Sequence, residues 1–119
     1  MIVAGIGCRR HCPAEDIVAL VRLAETRALC RVTALAAPAF KAEEPGLRDA
    51  ARQLGLALLL VDAPALAAVQ ARCPTRSAAA LRHTGAASVA EGAALAASGG
   101  TLLLPRIAAR RATCALARA

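Results

Sequence analysis

Apolar residues in this chain fall into short continuous runs separated by segments with helical spacing. Residues 1–7 form the first run, bounded by Gly5 and Gly7, and read as a buried strand. Ile17, Leu20, Val21, Ala24 and Ala28 then recur at helical spacing. A helix is predicted from Pro13 to Leu29, with Cys12 as its N-cap, Pro13 at the first helical position and Glu15 and Asp16 complementing its dipole. Arg31–Ala36 reads as a second strand, and Ala37–Glu44 as the loop that leaves it. Strand, helix, strand at this spacing is a βαβ unit with parallel strands.

Pro45 opens a second helix with Leu47, Ala50, Ala51 and Leu54 on one face, and Gly55 ends it. Leu56–Val61 is an uninterrupted apolar run, which predicts a strand buried on both faces. Asp62-Ala63-Pro64 starts a short helix to about Val69, and a turn at Cys73–Ser77 leads into a helix over Ser77–His83. Ser88 and Glu91 have the spacing of a capping box, and the helix they open stops at Gly99-Gly100. Thr101–Leu104 and Thr113–Ala117 read as the last strands, joined by the arginine-rich Pro105–Arg111. A short join implies an antiparallel pair at one edge. The prediction is a single α/β domain over residues 1–119: three layers, α/β/α, around a mainly parallel sheet with an antiparallel C-terminal strand.

Composition sharpens this picture. The chain is 58% hydrophobic, mostly alanine and leucine, and Phe40 is its only aromatic residue. The core is therefore built from small aliphatic side chains. The first apolar run lacks a basic flank and reads as no export signal. No apolar segment reaches the ~20 residues of a membrane span. The expectation is a cytoplasmic protein with no membrane association. The five cysteines are an odd set without export context and are expected to be free thiols. Cys8 and Cys12 flank His11 in a C-x3-C spacing with no second pair, so neither a metal nor another cofactor is expected.

The net charge is +7, carried by fourteen arginines and the single Lys41. Nucleic acid is the usual partner of a basic domain, but aromatic platforms and helix-turn-helix or finger signatures are missing here. Arginine instead grips carboxylates and phosphates in bidentate fashion, so a small polyanion fits better. Arg9 and Arg10 follow a Gly-x-Gly strand end and precede a helix start, where amides and the dipole favour an anion. Lys41 and Glu44 lie in the second loop, at the same sheet edge, and a Lys41–Glu44 ion pair is one reading of them. Cys8 is a candidate nucleophile if the nearby cations stabilise its thiolate. Glu91 reads as a capping residue before a catalytic acid. No Ser-His-Asp or paired-carboxylate arrangement is visible.

Four ordered blocks carry a resemblance. They are Gly5-Ile6-Gly7-Cys8-Arg9-Arg10, then Lys41-Ala42-Glu43-Glu44-Pro45-Gly46-Leu47 with Gly55-Leu56, then Ser88-Val89-Ala90-Glu91, then Leu102-Leu103-Leu104-Pro105 with Ala112-Thr113. Together they resemble the cobalamin-biosynthesis family of CobE and the C-terminal domain of CbiG, the cobalt-precorrin-5A hydrolase. Where that family more often has Gly, Ser or Thr, and Lys, this chain has His11, Cys12 and Arg106. The resemblance implies a role at the corrin-ring stage: binding or handing on a precorrin, a polycarboxylate macrocycle. It implies a binding site drawn from Gly5, Gly7, Cys8, Arg9, Arg10, Lys41, Glu44, Ser88, Glu91 and Arg106. The full-length hydrolase opens a lactone and releases acetaldehyde. For that activity Glu44, Lys41 and Cys8 are the candidates. An interaction module for another pathway enzyme is a third reading, and self-association as a homodimer is left open.

Overall fold

Five strands form one mixed sheet in the order β3-β2-β1-β5-β4 in a computed structural model that describes all residues 1–119. The strands are β1 (Ile2–Cys8), β2 (Ala34–Pro38), β3 (Ala57–Val61), β4 (Thr101–Ala109) and β5 (Ala112–Arg118). β1 pairs in parallel with β2, and β2 with β3; β5 runs antiparallel to both β1 and β4. Four strands thus share one direction and β5 opposes them. The helices are α1 (Ala14–Ala28), α2 (Pro45–Leu54), α3 (Ala63–Ala68), α4 (Ala78–Thr84) and α5 (Val89–Ser98). α1 and α2 cover one face through a core that includes Ile6, Ile17, Leu20, Leu35 and Leu47. α5, flanked by α3, covers the other through Val3, Ala36, Leu66 and Ala93. The three-layer α/β/α arrangement is as the sequence predicts.

Alternation along β1 shows why the strand has this composition. Ala4 and Ile6 fill the α1/α2 side, while Val3 and Gly5 meet α5. A Cβ on Gly5 would overlap the carbonyl oxygen of Ala90 and lie 2.6 Å from the Ala94 amide nitrogen. Gly5 therefore lets the α5 backbone settle on the sheet. Neither Gly5 nor Gly7 has a positive φ, so the backbone-freedom reading of this pair gives way to one of close packing.

Several boundaries move for local reasons. β2 begins at Ala34, not Arg31, because the Thr33 hydroxyl engages the backbone of Ile2 in both directions at 3.0 Å. Ala37 and Pro38, read as loop, are paired with Leu60 and Val61. Helix α1 takes Pro13, not Cys12, as its N-cap, and has no side-chain cap. β3 is an edge strand with Ala57 and Leu60 exposed, not a strand buried on both faces.

The largest departure is at the C-terminus. Pro105–Ala109 continues β4, and only Arg110-Arg111 forms the turn, with Arg110 at φ 54°. Register shifts lie between Leu102 and Leu104 and between Leu104 and Ile107. The second spans Pro105, which can donate nothing to the ladder and is tolerated on an edge.

Candidate functional site

The sheet reverses its strand order beside β1. β2 and β3 lie to one side, and the chain then crosses to place β5 and β4 on the other. Open α/β sheets bind ligands at the carboxyl ends of strands at such a switch point. A cleft of about 580 Å³ opens there. Its floor is Gly7 and Cys8 at the end of β1 and Ala112 and Thr113 at the start of β5. Its walls come from Phe40 and Lys41, from the start of α5 at Ser88 and Val89, and from α4 and the β4 hairpin.

The charges in the lining are all of one sign. Arg9, Lys41, Arg106, Arg110 and Arg111 contribute cations, and no Asp or Glu lines the cleft. Between them lie Ala79, Ala80, Ala87, Ala108 and the exposed ring of Phe40. Small apolar walls leave room for a broad ligand, and the cations stand at its rim.

Three segments are tied together to make this edge. The Arg9 N–H donates to the Arg111 carbonyl at 2.9 Å, which fixes the first loop to the hairpin tip. The His11 N–H donates to Glu44 Oε2 at 3.1 Å, which joins the first loop to the second. Gly46 sits so close to the Cys12 carbonyl that a Cβ would overlap it. His11 itself has φ 65°, the left-handed conformation that glycine adopts without cost. Glu44 therefore organises the loops, and no ion pair joins it to Lys41; the two ion pairs in the molecule are Arg22–Glu25 and Arg52–Asp49. The Lys41 ammonium has no hydrogen-bond or ion-pair partner within the protein, while the Lys41 carbonyl accepts from the Glu44 N–H at 3.0 Å.

Glu91 has a different role from a capping residue. It is fully buried and accepts four hydrogen bonds: from the Thr75 N–H and hydroxyl and the Ser88 hydroxyl, each at 2.9 Å, and from the Arg106 N–H at 3.0 Å. The Ser88 N–H goes to Gln70 Oε1 instead of closing a capping box. Burial raises the Glu91 carboxyl, but these hydrogen bonds outweigh it and hold it below its ordinary 4.5. The carboxylate also sits in the first turn of α5, where the dipole favours it. It thus fastens the turn before α4, the start of α5 and the irregular part of β4 at one point beneath the cleft.

The structure brings Gly7, Cys8, Arg9, Lys41 and Ser88, from three of the four sequence blocks, to the cleft together with Arg106, which directly follows the fourth. Gly5, Arg10, Glu44 and Glu91 lie outside its lining. Arg10 is exposed, and α1's first turn faces Arg110 and Arg111 across a separate hollow with Glu15 and Asp16. Glu15 and Asp16 stand in that first turn, where they complement the helix dipole without capping its amides. Cys8 is half-buried, and burial pushes its thiol up to about 11 although Lys41 pulls the other way. It is therefore a protonated thiol at neutral pH and not an activated nucleophile. The residues missed from the sequence are His83 and Thr84 on α4 and Arg110 and Arg111 at the hairpin tip. The arginine-rich join was visible, but its folding back as a hairpin was not. No three His, Cys, Asp or Glu side chains converge as a metal site, and no helix is long and apolar enough to cross a membrane.

The fold and the cleft together define a three-layer α/β domain with a cationic cleft at the switch point of its sheet. Comparison with known proteins gives the particular family. The model of the cobalamin synthesis G C-terminus matches residues 2–117, so the chain belongs to that family. Protein CobE of Sinorhizobium sp. is 36% identical over 98% of this chain and 79% of its own length. The crystal structure of a CobE from the cobalamin (vitamin B12) biosynthetic pathway superposes with a TM-score of 0.93 at 39% identity, covering 100% of this chain and 90% of that one. A cobalamin biosynthesis protein from Agrobacterium tumefaciens gives 0.81 at 43% identity, with 99% and 98% covered. This is a cobalamin-biosynthesis protein of the CobE type.

Proposed function

We propose that this protein binds a precorrin or corrinoid intermediate by its carboxylate fringe, with the macrocycle edge resting on the alanine walls of the cleft. The observation that carries this reading is the lining itself: five cations, no acid, and an apolar surface between them. Each acetate or propionate arm would meet a guanidinium or the Lys41 ammonium, and charge-assisted pairs of this kind are the strong ones. Family membership supplies the pathway, and the cleft supplies the chemistry that would recognise one of its intermediates. Release to a following enzyme is consistent with a site open along the sheet edge.

Lactone hydrolysis is less well served by the same cleft. It has no lining carboxylate to activate water, and Cys8 is held as a thiol. Lys41 remains the one free group among the three candidates.

The test is a visible-absorbance titration with a polycarboxylate precorrin, followed by mass analysis of the pigment. The expected result is a spectral shift with unchanged mass. Lys41→Ala and Arg106→Ala should each weaken binding by roughly ten-fold, the cost of about 1.5 kcal/mol for one charge-assisted hydrogen bond. Undiminished binding by the double variant would remove the cleft from the account. Ring opening with release of acetaldehyde would make the domain a hydrolase.

A further inference from the structure

α4 is the one helix of the five that buries no residue. Its order is local. The Ser77 hydroxyl accepts from the Ala80 N–H at 3.1 Å. At the other end Gly85 takes the left-handed C-cap, and its N–H donates to the Leu81 carbonyl at 3.0 Å. The Thr84 hydroxyl stays within the same segment, on the carbonyls of Ala80 and Ala86. A helix this short is marginal in water unless a core holds it, and α4 has caps without that core.

The chain on either side of α4 is pinned. Gln70 clasps Ser88, donating to its carbonyl at 2.9 Å and accepting from its N–H at 3.0 Å. Thr75 gives both its N–H and its hydroxyl to Glu91. The Ser77 N–H donates to the Ala87 carbonyl at 2.8 Å, and Ala86 and Ala87 are buried. Residues 78–85 thus leave the body of the protein and return to it at one closed base. A segment with few buried contacts on a fixed base opens separately from the rest of the fold.

One face of this segment belongs to the cleft. Ala79, Ala80, His83 and Thr84 line it, at the i, i+4 spacing of a helical stripe, whereas Ala78, Leu81 and Arg82 do not. The stripe carries no arginine, lysine or acid, and all five cations of the lining come from outside α4. The carboxylates of a ligand are therefore drawn to the other walls, and its apolar surface is left to α4.

We infer that α4 is a lid, loosely held in the free protein, that closes on the flat apolar face of the ligand once the cations have engaged its carboxylates. This rests on the corrinoid reading above. The short methyls of Ala79 and Ala80 let the helix lie close on a planar ring, and the ring supplies the packing that α4 lacks.

Hydrogen exchange of the full chain, free and saturated with the precorrin of the absorbance titration, tests this. The expected result is fast exchange of the Leu81–Gly85 amides in the free protein, with α5 protected, and slow exchange of the same amides in the complex. Ala78→Gly with Leu81→Gly changes no lining residue and no charge but weakens the helix. It should speed release of the ligand by roughly ten-fold and leave association unchanged. Amides of α4 as protected as those of α5 in the free protein, or unaltered by saturating ligand, would overturn the lid, as would release unchanged in the variant. If the variant does not fold, the wild-type exchange decides alone. Absence of any spectral shift would overturn the corrinoid reading and the lid with it, whereas a shift without protection of α4 sinks only the lid.

Discussion

His11 shows how one residue reveals a constraint that its neighbours satisfy. Its φ of 65° is the left-handed conformation for which glycine is suited. A side chain in that region costs about 1–2 kcal/mol, part of which the greater unfolded-state freedom of glycine takes back. His11→Gly should therefore leave stability unchanged or raise the melting temperature by a few degrees, whereas His11→Val should lower it; calorimetry on the three proteins checks the order. Cys8 illustrates the opposite hazard, a chemically suggestive residue whose surroundings silence it. With its thiol near 11, alkylation by iodoacetamide should be slow at pH 7–8 and accelerate only in strongly alkaline solution. Fast modification at neutral pH would return it to the list of nucleophiles. Cys8 ends β1 and His11 stands in the loop that follows, and neither outcome depends on the ligand.

At the scale of elements, the parts fixed by local chemistry were legible and the parts fixed by distant partners were not. Pro45 and Gly55 bracket α2 as read, and Gly55 takes the left-handed C-cap. Helical periodicity placed α1, the Ser88–Glu91 spacing and the Gly99-Gly100 stop bracketed α5, and apolar runs marked every strand. The Ser88–Glu91 spacing gave the start of α5 but the wrong reason, because Glu91's partners Thr75 and Arg106 lie 16 and 15 residues away. The same blindness hid the hairpin: Pro105 read as an end, when it marks an irregularity in an edge strand. The cleft was half visible, since the strand ends and Lys41 could be placed from topology, while His83 and the tip arginines arrive only through α4 and the turn. Replacing Glu91 by Leu should leave the Thr75 and Arg106 amides without acceptors and cost about 1–3 kcal/mol for each that water does not reach. Because the folded carboxyl titrates below its ordinary 4.5, its stabilisation is complete above that value and is lost as pH falls through the lower folded value. Acid unfolding of the wild type should thus be steeper than that of Glu91→Gln, which has no such proton to gain; parallel acid titrations of the two would contradict the role given to the carboxylate.

For the whole molecule, fold and charge divide the labour. The alanine-rich core lets α5 sit close on β1, as Gly5 requires, and this close packing draws the start of α5 to the cleft. Gly5→Ala should push α5 off the sheet and lower the melting temperature by several degrees, since the added methyl meets backbone with nowhere to move. The arginines stay out of that core: all fourteen are exposed, and four of them line the cleft. The central claim is that the cleft recognises carboxylates carried on a tetrapyrrole edge. The most direct test is to titrate the protein with one corrinoid in two forms, with free side-arm carboxylates and with those arms amidated. The account predicts binding of the acid form, weakened by salt, and little or none of the amidated form. Equal affinity for both forms, or none for either, would contradict it.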